Sequence, residues 1–159
     1  ARLLRMDAEK ALVKKLIPLA YVVTPNIPEA EALSGLKVRS LDEAERAAEA
    51  IASLGCRAVV VKGGHLRSRS VPDMLYYEGE VRVFRGRRIR GGTHGTGCTF
   101  SAAITAFLAR GFGLTRAVEN AKRFVSDAIA FSQRIGGGVP PVNPIGRILM
   151  DVGSRWLDK

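Results

Sequence analysis

The run Ala58-Val59-Val60-Val61 constrains this chain more than any other stretch. Consecutive small and β-branched apolar residues leave no polar face, so a strand built from them must be covered on both sides, as the strands of parallel sheets in α/β folds are. The run ends in Lys62-Gly63-Gly64-His65, which places a cation and a pliable turn at its C-terminal end. Open α/β sheets bind ligands at such ends.

The flanking pattern alternates. Asp7 to Leu19 has helical spacing, and the chain enters it at once without an initial Met, which reads as a start inside a larger protein. Tyr21-Val22-Val23-Thr24 is a short strand stopped by Pro25 and Pro28, after which Glu29 to Leu33 forms a helix ended by Gly35. Leu41 to Leu54 predicts a helix with Leu41, Ala44, Ala48 and Ile51 on one face. Beyond the central run, Met74–Tyr77 and Val81–Phe84 predict a hairpin across Glu78-Gly79-Glu80. Helices follow over Cys98–Arg110, buried through Phe100, Ala103, Ile104, Phe107 and Leu108, and over Thr115–Phe131, buried through Ala117, Val118, Ala121, Phe124, Val125 and Ala128. Gly136 to Asn143 is Gly/Pro-rich loop, and Pro144 to Lys159 reads as a short helix or the start of a linker. The fold class is α/β, a mainly parallel sheet flanked by helices with an antiparallel hairpin near one edge. Two or three parallel strands are few for that architecture, so further N-terminal strands, missing from this chain, are expected.

Composition narrows the function classes. A chain of 159 residues with 47% hydrophobic content can bury a core. No apolar run approaches the roughly 20 residues that cross a bilayer and no signal pattern opens the chain, so a cytoplasmic protein without a membrane partner is expected. The formal charge of +10 is densest over Val81-Arg82-Val83-Phe84-Arg85-Gly86-Arg87-Arg88-Ile89-Arg90. That stretch reads as a solvated strand face or an attractor of anionic small substrates; nucleic acid is disfavoured as a partner because no helix-turn-helix, zinc-finger or RNA-binding signature accompanies it. Cys56 and Cys98 lie too far apart in sequence to suggest a disulfide framework or metal knuckle.

Three polar clusters fall on loops after strands. Gly95-Thr96-Gly97-Cys98 opens directly into an apolar-faced helix. There glycines admit close backbone approach, and the first-turn N–H groups with the helix dipole make an anion hole suited to phosphate. The same residues could be a Gly-rich turn packed at a helix start. Lys62 could be a surface lysine, Asn26 a turn former beside Pro25, and Glu29 a first-turn residue favoured by the dipole. Their order along one chain, Asn-x-x-Glu, Lys-Gly-Gly, Gly-Thr-Gly-Cys, is harder to attribute to structural habit.

Thr24-Pro25-Asn26-Ile27-Pro28-Glu29-Ala30-Glu31-Ala32-Leu33, Val61-Lys62-Gly63-Gly64-His65, Asp73-Met74-Leu75-Tyr76 and Thr93-His94-Gly95-Thr96-Gly97-Cys98-Thr99-Phe100-Ser101-Ala102-Ala103-Ile104 resemble the hydroxymethylpyrimidine/phosphomethylpyrimidine kinases of thiamine biosynthesis. The likeness runs from Asp7 to Asn143, where Gly138 to Asn143 is similar to the family's closing stretch. It implies a ribokinase-like fold, ATP with Mg²⁺, and phosphorylation of the pyrimidine's hydroxymethyl oxygen and then of the resulting monophosphate. By the same resemblance Asn26 and Glu29 organise Mg²⁺ through water, Lys62 neutralises ATP phosphate, and Gly95, Thr96, Gly97 and Cys98 form the anion hole. Cys98 stands where sugar kinases of the superfamily carry a catalytic Asp, which leaves the general base open. Residues 1–144 then read as the C-terminal, nucleotide-binding part of the kinase domain and 145–159 as a tail or linker, similar to archaeal forms that continue into a thiamine-phosphate synthase. The pyrimidine-holding residues belong to the family's upstream segment, so this chain alone is expected to lack activity; a homodimer is expected through the complete fold. The rivals are pyridoxal kinase, which shares the Gly-Thr-Gly-Cys motif in some members, and a non-catalytic nucleotide-binding or regulatory module.

Overall fold

The computed structural model describes residues 6–65 and 70–150. The chain forms two compact units, Ala1–Arg85 and Gly86–Lys159.

In the first unit α1 (Met6–Ala11) runs on through a π turn at Leu12–Leu16 and a 3₁₀ turn at Ile17–Leu19. Pro18 sits in that last turn, where its missing N–H cannot extend an α-helix. Strand β1 (Val22–Val23) is short and gives way to α2 (Ile27–Ser34). A capping box of Asn26 and Glu29 starts α2, and Gly35, left-handed at φ 74°, ends it. A second box, Ser40 with Glu43, starts α3 (Leu41–Ala52). Its buried positions Ala44, Ala47, Ala48 and Ile51 follow helical spacing.

Strand β2 (Ala58–Lys62) is buried from Ala58 to Val61, as its apolar run requires. Val59 and Val61 join Ile17, Ile27, Val38, Ile51 and Met74 in one core cluster. Each such side chain contributes about 1.5–3 kcal/mol relative to exposure. Sheet order is β1-β2-β3-β4, with β3 (Ser70–Tyr77) and β4 (Glu80–Arg87) forming the hairpin. Both turn residues, Glu78 (φ 53°) and Gly79 (φ 77°), have the positive φ of a two-residue hairpin loop whose twist matches the strands.

The α/β class and the hairpin stand as expected, with parallel pairing confined to β1 and β2 among the described strands. The reason is connection length. Between β1 and β2 the chain makes two helices, enough to cross over and return in the same direction, whereas only Gly63 to Arg69 separate β2 from β3 in sequence and the two pair antiparallel.

In the second unit α4 (Thr96–Ala109) packs on α5 (Leu114–Ala130). Phe100, Ala103 and Ile104 are buried on α4, and Ala117, Val118, Ala121, Val125 and Ala128 on α5. Phe107, Leu108 and Phe124, expected inside, are half-buried. Phe107 instead meets Phe112 edge to face at 5.6 Å across the interhelix turn. Residues 146–150 are helical; 151–159, the rest of the expected tail, lie outside the described residues. Among the described residues no helix is long and apolar enough to cross a membrane.

At the end of the sheet where β3 turns into β4, Arg57 lies over the Tyr21 ring at 5.5 Å and 3.5 Å from Glu78. Hydrogen bonding to Glu78, then to Tyr21, with some desolvation, pushes the Tyr77 hydroxyl up to about 12. The folded state therefore keeps a proton that an unfolded tyrosine releases near pH ~10. This contribution to stability is complete below that pH and is lost as pH rises through about 12. In an alkaline spectrophotometric titration one tyrosine should ionise last, and Tyr77→Phe should remove that late step.

Candidate functional site

Lys62 stands where β2 leaves the sheet. Its N–H donates to the Pro25 carbonyl at 2.8 Å and Asn26 forms a parallel bridge with it, so the loop between β1 and α2 lies along the end of β2. The Asn26 Oδ1 accepts from the Glu29 N–H at 2.9 Å, and the Asn26 N–H donates to Glu29 Oε2 at 2.7 Å. That same Oε2 lies 4.0 Å from Lys62 Nζ. The first unit thus brings Asn26, Glu29 and Lys62 into one cluster, as a pure surface lysine and an isolated turn would not. The capping role is also real, and it uses only part of the polar inventory. Glu29 Oε1 has no hydrogen-bond partner among the described residues, and the side chain is 49% exposed against 21% for Lys62.

Beside Lys62, on the neighbouring strand, lies a residue to which the sequence alone gave no role. Asp73 is buried, pairs with Lys62 across the antiparallel ladder, and accepts the Gly63 N–H through Oδ1 at 3.0 Å. Gly63 has no room for a side chain, since a Cβ there would stand 1.8 Å from the Pro72 carbonyl oxygen. The signal in the sequence was a carboxyl set inside the run Val71-Pro72-Asp73-Met74-Leu75.

The second unit holds Gly95, Thr96, Gly97 and Cys98 together at the start of α4. Gly95 is the N-cap residue at φ 84°, a left-handed conformation that favours glycine, and it has no side chain to cap the helix. A Ser or Asp there would bond the N–H groups one turn in. In its absence the Gly97 and Cys98 N–H groups have no acceptor among the described residues, while the Thr99 N–H already bonds the Gly95 carbonyl at 2.9 Å. Thr96 turns its hydroxyl back onto the Thr93 carbonyl at 2.5 Å, which shapes the loop. Cys98 is exposed.

The loop before α4 is held rigidly within its unit. His94 donates its N–H to the Pro140 carbonyl at 3.3 Å and accepts from the Val142 N–H at 3.0 Å. Ser132 Oγ accepts the Gly92 N–H at 2.6 Å. A Cβ at Gly92 would lie 2.4 Å from the Pro140 oxygen, so the Pro140–Val142 strap and this loop meet backbone to backbone. The Gly/Pro-rich closing stretch was legible as a loop, but its partner was not.

Among the described residues no three His, Cys, Asp or Glu side chains could hold a metal ion by themselves. One available carboxylate, Glu29, suits Mg²⁺, which is usually held by one or two carboxylates with phosphate and water completing its shell.

Residues 1–143 match the model of the family described as phosphomethylpyrimidine kinase. The chain is 48% identical to the hydroxymethylpyrimidine/phosphomethylpyrimidine kinase of Rhizobium meliloti, over 91% of this chain and 56% of that protein. It is 43% identical to the thiamine biosynthesis bifunctional protein ThiED of Geobacter sulfurreducens, over 91% of this chain and 30% of that protein. The chain therefore spans about half, or less, of the curated relatives it matches. Among solved structures, an ADP complex of Bacillus subtilis pyridoxal kinase matches with a TM-score of 0.87 at 37% identity, covering 92% of this chain and 58% of that one. Phosphomethylpyrimidine kinase of Clostridium difficile matches with a TM-score of 0.70 at 40% identity, covering 81% and 52%. With the ribokinase-like fold and the family motifs both in place, the chain belongs to the phosphomethylpyrimidine kinase family.

Proposed function

We propose that this chain supplies, in residues 1–144, the nucleotide-handling part of a cytoplasmic kinase that phosphorylates hydroxymethylpyrimidine and then its monophosphate, a step of thiamine biosynthesis. The observation that carries the reading is the uncapped start of α4, where Gly95 leaves the Gly97 and Cys98 N–H groups open to an anion. Family membership and the ADP complex of the Bacillus subtilis structural neighbour support ATP as that anion's source.

In the reaction the γ-phosphorus of ATP breaks its bond to the bridging β-oxygen and bonds the acceptor's hydroxymethyl oxygen, which loses its proton. Such a transition state gains most from fixed charge and position. Lys62 neutralises phosphate charge. Glu29 and Asn26 would hold Mg²⁺, through water for Asn26, because Asn26 Oδ1 already accepts the Glu29 N–H. The ion supplies further neutralisation of phosphate charge. Gly95 and Thr96 shape the loop, and the Gly97 and Cys98 N–H groups receive phosphate oxygen. The Cys98 sulfur, as thiolate, takes up the substrate proton and becomes the thiol, in a secondary role.

A second reading, pyridoxal kinase, is favoured by the high structural likeness to the Bacillus subtilis enzyme. Product analysis of the full-length protein with ATP and each alcohol separates the two. Conversion of hydroxymethylpyrimidine is expected; conversion of pyridoxal alone would overturn the assignment. A protein that converts neither, yet binds ATP, would be the non-catalytic module.

In the full-length enzyme Glu29→Gln keeps the capping-box geometry, since Gln serves equally at that position, and so isolates the charge. It and Lys62→Ala should each cost about 2 to 4 kcal/mol of transition-state stabilisation with little change in thermal stability. Wild-type turnover in either variant, at saturating ATP and Mg²⁺, would contradict the placement. Single-turnover rates test the anion hole: Cys98→Ser should keep most of the activity and Gly97→Val should abolish it. A dead Cys98→Ser beside an active Gly97→Val would reverse the roles.

A further inference from the structure

Asp73 is the buried charged residue of the described core, 7% exposed in a strand whose other buried residues include Met74 and Leu75. Burying a carboxyl costs free energy unless its oxygens are hydrogen-bonded, so its place needs a physical reason. The partner identifies one. Oδ1 accepts the N–H of Gly63, the first peptide beyond β2, where the sheet ladder has ended and the chain turns through Gly63–His65.

Three contacts act on the same two residues. The Lys62 N–H is tied to the Pro25 carbonyl at 2.8 Å. The Gly63 N–H is tied to Asp73 at 3.0 Å. The Pro72 carbonyl closes the space over the Gly63 Cα, with 1.8 Å to an added Cβ. Removing the Asp73 acceptor would take a tie from the Gly63 peptide, which directly follows the backbone that carries Lys62 towards Glu29. A site group must be held by such a supporting shell to act at full strength.

The geometry points to Asp73 as the positioning residue of the nucleotide site, clamping the turn after β2 so that the Lys62 ammonium is held ready for phosphate. This rests on the reading of Lys62 as the phosphate-neutralising cation. Asp73 touches no substrate in this role and acts only through Lys62.

The test is a double-mutant cycle in the full-length enzyme with Asp73→Ala, Lys62→Ala and the pair, reading kcat, KM for ATP, KM for the alcohol and melting temperature. Asp73→Ala, which removes the acceptor of the Gly63 N–H, should lower kcat/KM for ATP about tenfold or more and leave KM for the alcohol within about twofold. In the Lys62→Ala background the same change should cost less than about twofold, because the residue through which it acts is gone. Losses that multiply, or a lower melting temperature with unchanged kinetics of the folded protein, would overturn the inference while leaving the phosphate site standing. Wild-type kinetics in Lys62→Ala alone would instead sink the phosphate-site reading and the inference with it. Asp73→Asn, which keeps an Oδ1 acceptor for the Gly63 N–H, should retain most of the wild-type kcat/KM, and a loss as large as that of Asp73→Ala would overturn the clamp. If Asp73→Ala does not fold, Asp73→Val is read in the same cycle. Failure of both to fold would make Asp73 a core residue and overturn the positioning role.

Discussion

The first unit depends on strand β2 being paired along both edges. Its apolar run is buried on both faces, and its backbone N–H and C=O groups must be satisfied inside the protein. That requirement brings β1 to one side and β3 to the other, in registers that set Asn26 and Asp73 beside Lys62. Lys62, proposed as the phosphate-neutralising cation, is therefore placed by a deeply buried strand, while its charge emerges at the strand's end. Rigidity of the support and accessibility of the charged group arise from the same element.

The second unit solves a different problem. A helix start has N–H groups without partners, and proteins usually satisfy them with a side-chain cap. Both helices α2 and α3 do so, through Asn26 with Glu29 and Ser40 with Glu43. Helix α4 does not, since Gly95 brings conformational freedom and no acceptor. Helix α5 also starts on an uncapped glycine, Gly113; α4 differs in the left-handed conformation of Gly95 and in a second glycine, Gly97, within its first turn. Support for the open end comes from the loop behind it, fixed by Ser132 and by the Pro140–Val142 strap.

Much of this was legible in the sequence because it follows from local rules. The valine run fixed β2, Gly35 and the Asn-x-x-Glu box fixed α2, and Glu78-Gly79 fixed the hairpin turn. The meeting of Asn26, Glu29 and Lys62 was expected from their shared place on strand ends, and the structure shows it. What could not be read depends on pairings distant in sequence. The run of β2 directly into an antiparallel partner, the contact of Asp73 with Gly63, and the strap against His94 each require register across the fold. Half-burial of Phe107 and Phe124 has the same origin, because helical spacing tells which face points inward but not how far the cover extends.

In the proposed function the uncapped start of α4 receives nucleotide phosphate. Its most direct measurement is an amide-resolved NMR titration of the full-length protein with ADP. The Gly97 and Cys98 amide protons should move strongly downfield as they take up hydrogen bonds to phosphate, and these shifts should saturate with nucleotide binding. Saturable ADP binding that leaves both amides unchanged would contradict it.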